Sequence, residues 1–134
     1  MNIVDVEGIG PTYAEKLTAA GVTTTEKLLD RGATASGRAA LATETGISER
    51  LILEWVNHAD LMRIPGVGSE YADLLEAAGV DSAAELAQRN PANLAQTFQE
   101  LDAARPNTVR RVPSEDTIRG WIAEADKLAK VVSH

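Results

Sequence analysis

GIGPTYAEKLTAAGVTTTEKL, residues 8–28, and GVGSEYADLLEAAGVDSAAEL, residues 66–86, are two versions of one stretch, and their reading decides the fold. At an offset of 58 about half of the positions are identical. Both glycines recur, with the Tyr-Ala pairs Tyr13-Ala14 and Tyr71-Ala72, Leu17 with Leu75, and the Ala-Ala-Gly-Val ending at Val22 and Val80. Further on, SERLILEWVNHAD (48–60) matches SEDTIRGWIAEAD (114–126) at an offset of 66, so the second copy carries about eight extra residues. They are assigned to 105–113, where Pro106, Asn107 and Pro113 interrupt any periodicity and predict a loop. A chain that repeats itself in this way reads as two copies of one helical unit, 1–62 and 63–134.

Local chemistry sets the element boundaries. Pro11 suits the first turn of a helix to about Ala20, because its missing N–H has no partner there anyway. Gly21 follows, where a left-handed residue is cheap. Ser69 and Gly79 bracket the equivalent helix. Thr23 to Thr25 and Asp81-Ser82 carry oxygens that can cap the next helices, and Ser82 with Glu85 has capping-box spacing. Asn90-Pro91 reads as cap and first turn of a helix to about Ala104, with a counterpart near Thr34 to Thr45. Ser48 and Ser114 cap the longest helices, Glu49 to about Met62 and Glu115 to about Val132. Leu51, Ile52, Trp55, Val56, Ala59 and Met62 recur at helical spacing, as do Ile118, Trp121, Ile122, Ala125, Leu128 and Ala129, and both stripes are predicted core.

Composition agrees and narrows the function classes. The 134 residues are 44% hydrophobic, enough for a core, but only 4% are aromatic. Ala, Leu, Val and Ile carry the apolar content, which favours close-packed helices. Without cysteine there are no disulfides, thiolate metal sites or cysteine nucleophiles. MNIVDVEGIG lacks a basic segment followed by an apolar run, and no stretch of about 18 apolar residues occurs, so a soluble, cytoplasmic protein with no membrane association is expected. A net charge of −7 argues against coating nucleic acid by bulk attraction, since phosphates are repelled at long range. Any contact with nucleic acid is therefore local.

Gly8-Ile9-Gly10 with Ala14, and Gly66-Val67-Gly68 with Ala72, resemble the helix-hairpin-helix consensus of an apolar residue between two glycines and an alanine four positions later. The layout of two such units resembles a bacterial family known only as a domain of unknown function. The resemblance implies an all-α fold, with two tandem helix-hairpin-helix repeats packed around one shared core as a single pseudo-two-fold domain. It also implies contact with a nucleic-acid backbone through helix starts, which holds position without reading bases. The physical reason is that a helix start presents N–H groups and a partial positive charge. Many nucleic-acid-binding relatives carry Lys or Arg after the second glycine, where this chain has Pro11-Thr12 and Ser69-Glu70. Glu7, Glu15, Glu70 and Asp73 add negative charge around the turns. Thr12 and Ser69 can donate to a phosphate, with Lys16 and Arg63 nearby in sequence. The same hairpin serves as a protein–protein element in some relatives, so a nucleic-acid backbone and a protein partner both stand as expectations.

The first hairpin is preceded only by MNIVDVE, the equivalent of the tail of a helix. We therefore expect the C-terminal tryptophan helix to pack beside the first hairpin and close the pseudo-two-fold body, a domain-swapped homodimer being the alternative. Arg105, Arg110 and Arg111, with Arg119 in the next helix, form the only basic concentration in the chain. They suit a phosphate or an acidic surface, and equally a solvated loop. Trp55 and Trp121 read as core, Tyr13 and Tyr71 as half-buried with outward hydroxyls, and His58 as a surface or boundary residue. No nucleophile elbow, phosphate loop or metalloprotease motif is present, so a non-enzymatic binding module without metal or cofactor is expected.

Overall fold

Each helix start predicted from a cap lies where its capping oxygen places it. The computed structural model describes residues 1–6, 8–106 and 109–134, so that Glu7 and Asn107, which entered the reading above, lie outside the described residues with Thr108. Among those described the secondary structure is helical: a 3-10 helix at Ile3–Asp5, then α1 (Pro11–Ala19), α2 (Thr25–Gly32), α3 (Ala35–Thr45), α4 (Glu49–Leu61), α5 (Ser69–Ala77), α6 (Ala83–Leu86), α7 (Pro91–Ala104) and α8 (Glu115–Lys127). Side-chain oxygens of Thr24, Thr34, Ser48, Ser82, Asn90 and Ser114 accept backbone N–H bonds at the starts of α2, α3, α4, α6, α7 and α8. Such a cap contributes on the order of 1 kcal/mol.

The chain divides into two compact units. The first is Met1–Asp60 with Lys130–His134, the second Leu61–Ala129. The last five residues belong to the first unit.

In the first unit Asn2 bridges to Thr24, and the Ile3 amide bonds Thr23 O at 3.2 Å, so the opening segment lies along the start of α2. Ile3, Leu17, Val22, Leu28, Leu41, Ile52, Trp55 and Val56 form the buried face. Each apolar side chain taken out of water contributes roughly 1.5–3 kcal/mol. In the second unit Leu61, Ile64, Leu75, Val80, Leu86, Phe98, Ile118 and Trp121 belong to one buried cluster.

The ends of α1 and α5 show why the paired stretches are alike. Gly21 and Gly79 adopt φ of +85° and +88°. This lets Val22 N–H reach Leu17 O at 2.8 Å, and Val80 N–H reach Leu75 O at 2.9 Å. A Schellman turn of this kind satisfies carbonyls the helix leaves unpaired, and the two valines then pack inward at 0% exposure. Arg31 and Arg89, also 58 apart, each donate to a carbonyl at these ends: Ala20 O at 3.2 Å and Gly79 O at 2.9 Å. Arg89 also bonds Glu85, holding that carboxyl below its usual range.

Two expectations are corrected. The last helix ends at Lys127 and not near Val132; Leu128 turns extended (ψ 139°), and Ala129 is exposed instead of continuing the core stripe. His58, expected near the surface, is 2% exposed, its Nδ1 paired with Glu54 O at 2.9 Å. Within the second unit Trp121 packs on Tyr71 with ring centroids 5.2 Å apart. Trp55 does the same to Tyr13 at 5.1 Å. Periodicity marks a face as buried without naming what covers it.

Gly120 lies exposed on α8, and a Cβ added there would meet nothing within 4 Å. Gly120→Ala is therefore expected to raise stability by about 0.5–1 kcal/mol through the smaller entropy of the unfolded chain. Thermal unfolding followed by circular dichroism checks this, and a lowered midpoint would contradict it.

Candidate anion-binding turns

Each glycine turn is built on one demanding residue and one undemanding one. Gly8 and Gly66 have φ of +87° and +88°, a region that side chains with a Cβ rarely enter. Their Cβ positions would stand 3.5 Å from Trp55 Nε1 and 3.4 Å from Trp121 Nε1. Ile9 and Val67, at 3% and 4% exposure, anchor the turns, and their amides bond Val6 O and Ile64 O at 3.0 Å each. Gly10 and Gly68 are different: their backbone is extended, with φ of −80° and −91°, and a Cβ at either would meet nothing within 4 Å. The fold itself does not require glycine at these two positions.

Gly10 and Gly68 are the N-caps of α1 and α5, and these are the two α-helices among the described residues with no side-chain cap. A glycine cap has no oxygen to offer, and Pro11 has no N–H. The first turns thus begin with main-chain donors directed along the axis toward the turn, where the helix dipole is positive. Gly8, Gly10 and Thr12 are exposed, as is Gly66, while Gly68 and Ser69 are half-buried.

Cationic groups stand beside both turns in different ways. Lys16 is exposed on α1 with its Nζ 6.0 Å from the Tyr13 ring centroid; its counterpart in α5 is Leu74. The second unit uses the inserted segment instead. Val109 (7% exposed) and Pro113 are buried, the Tyr71 hydroxyl donates to Arg111 O at 3.0 Å, and the Arg110 amide donates to the Glu70 carboxylate. The loop is therefore pinned at the first turn of α5 by main-chain atoms, and the side chains of Arg110 and Arg111 remain exposed there. This holds the backbone of Arg110 and Arg111 against Glu70 and Tyr71 of α5, which no local pattern foretells. The signal available in sequence was Tyr71 itself, a half-buried ring whose hydroxyl needs a partner.

Two predicted helpers lie elsewhere. Arg63 donates to Ala129 O at 3.0 Å, beyond the C-terminal end of α8, and so serves to tie that segment down. Arg119 is engaged by Glu115 at 2.7 Å and Asp116 at 2.8 Å, which neutralises it locally. Arg105 lines a cleft of about 260 Å³ with Asp73, Asp102, Leu74, Leu101 and Val109. Among the described residues no group of three or more His, Asp or Glu converges as a metal site, and no helix is long and apolar enough to cross a membrane.

No curated protein and no solved structure matches this chain. The match that does exist runs from just before the first glycine turn to the end of α8, taking in both turns and both tryptophan helices. Over residues 7–128 the chain belongs to the family described as Domain of unknown function (DUF4332).

Proposed function

We propose that this protein is a non-enzymatic helix-hairpin-helix module that makes weak, sequence-independent contacts with a nucleic-acid backbone through its two glycine turns. The observation that carries the reading is the pairing of missing caps with open space. Among the described residues six α-helices have side-chain caps, and the two without them follow Gly10 and Gly68, where an added Cβ would meet nothing within 4 Å. A phosphate approaching those amides needs that space. Exposed Arg110 and Arg111, whose backbone is held by Glu70 and Tyr71 of α5, and exposed Lys16 on α1 supply local positive charge in a chain of net −7.

With about two to four phosphates neutralised, log K should fall with log salt at a slope of roughly −2 to −4, giving weak binding at physiological ionic strength. Fluorescence anisotropy of a labelled duplex at about 50 mM salt tests this in wild type and in the Gly10→Ala/Gly68→Ala double variant. The expected result is saturable wild-type binding that weakens with salt, and a loss of at least about tenfold in the double variant. Its melting temperature should stay within a few degrees, because neither Cβ meets a neighbour. A flat wild-type titration would sink the proposal.

A second reading, docking of a partner protein, is favoured by one observation: the cleft of about 260 Å³ in the second unit, with Leu74, Leu101 and Val109 as apolar lining and Asp73, Asp102 and Arg105 as charged lining. An apolar side chain framed by charge fits such a cleft.

A further inference from the structure

Segment 130–134, Lys-Val-Val-Ser-His, lies on the first unit as an extended peptide lies on a receptor. The Ser133 amide donates to Ala33 O at 2.8 Å, and Arg38 returns a bond from its guanidinium to Ser133 O at 2.7 Å. Both main-chain groups of one residue are thereby satisfied by the unit beneath. One side chain of the five is buried: Val132 is 2% exposed, whereas Val131 is 40% exposed and Lys130, Ser133 and His134 are exposed too. His134 Nε2 pairs with Asn57 Oδ1 at 2.8 Å, and the Ser133 hydroxyl lies 3.4 Å from Ala33 O. Main-chain bonds that give affinity, with a pocket for one side chain that gives selectivity, are how proteins read extended segments.

Arg38 explains why the groove has this chemistry. Arg38 as a residue is only 5% exposed, and its guanidinium is held by Gly32 O at 2.8 Å and Ala33 O at 3.3 Å, leaving one edge to meet the segment's carbonyl. A buried guanidinium loses much stability if that edge has no acceptor, so the groove requires a main-chain carbonyl. The groove also extends past the segment. Arg38 lines a cleft of about 320 Å³ with Ala35, Glu49, Arg50 and Leu53, and this space is open.

We infer that this face of the first unit is a peptide-docking groove held in cis by segment 130–134, and that its partner is a protein presenting an extended segment with a valine at the buried position. The claim is independent of the nucleic-acid reading, since none of its residues belongs to a glycine turn. The segment acts as a strap that a partner must displace. As an attached occupant it competes at an effective concentration in the millimolar range, so the closed groove discriminates against weak ligands.

The test uses the chain of residues 1–134 and a labelled, acetylated and amidated Lys-Val-Val-Ser-His peptide as probe. In Val132→Asp the strap's own valine no longer fits, so the groove opens while its walls are unchanged. Fluorescence anisotropy should show saturable binding to the variant and binding at least tenfold weaker to wild type. A peptide carrying aspartate at the second valine should bind neither. If Val132→Asp does not fold, Ser133→Pro removes the donor to Ala33 O from an exposed residue and serves the same purpose. Absence of binding to a strap variant with a native circular dichroism spectrum would overturn the inference and make the segment a fixed part of the fold. Equal affinity for wild type and variant would overturn it too, because the probe would then be binding elsewhere.

Discussion

Trp121→Ala is expected to lower the free energy of unfolding by roughly 3–5 kcal/mol, the usual loss when a large buried aromatic is cut back and its cavity does not collapse. Trp121 is 4% exposed, lies in the buried cluster of the second unit, and stacks at a tilt of 53° on Tyr71. It also stands against the Gly66 turn, with Nε1 3.4 Å from where a Cβ would be. Its removal therefore takes away apolar contact and one wall of the positive-φ turn together. Against a typical total of about 5–15 kcal/mol, such a loss leaves the variant marginal at 37 °C. Trp121→Phe keeps a ring beside Tyr71 and should lose less than half as much. Urea unfolding followed by far-ultraviolet circular dichroism measures both, and a loss under about 1 kcal/mol for the alanine variant would show that the ring is not a core element.

Arg110→Glu/Arg111→Glu is expected to weaken binding to duplex DNA by on the order of 10- to 100-fold at about 50 mM salt and to make the salt slope shallower by about 2. Folding should be little affected. The fold uses the Arg110 amide, bonded to Glu70, and the Arg111 carbonyl, bonded to the Tyr71 hydroxyl, and both are main-chain groups that survive the substitution. The side chains are exposed. Arg119→Glu is the matched control: Arg119 is already neutralised by Glu115 and Asp116, so its reversal should change affinity far less. Equal effects of the two variants would mean that net charge alone governs binding, and an unchanged affinity in the double variant would dismiss the arginines from the site.

Much of the local structure was legible in the chain because short-range chemistry decides it. Pro11, Ser48, Thr34, Asn90 and Ser114 mark helix starts to within about a residue, since a cap or a missing N–H acts only within one turn. Gly8, Gly66, Gly21 and Gly79 sit where positive φ is needed, and that need is a property of the backbone at those positions. The tryptophan stripes announced burial, and both rings are buried.

What local pattern could not supply is the identity of partners across the fold. Trp121 meets Tyr71, a partner that periodicity marks as apolar company but cannot name. Arg110 and Arg111 lie at the first turn of α5 only because residues 40 positions away, Glu70 and Tyr71, hold their backbone there. His58 is buried at a helical position that sequence places at the edge of a stripe, and Val132 is buried outside any helix. Caps, turns and helix faces are short-range matters that the amino-acid sequence determined by itself. The gathering of arginines at one turn and the seating of 130–134 on the first unit were decided by tertiary packing, because contacts between distant segments depend on which surfaces meet, and hydrophobic attraction is not directional.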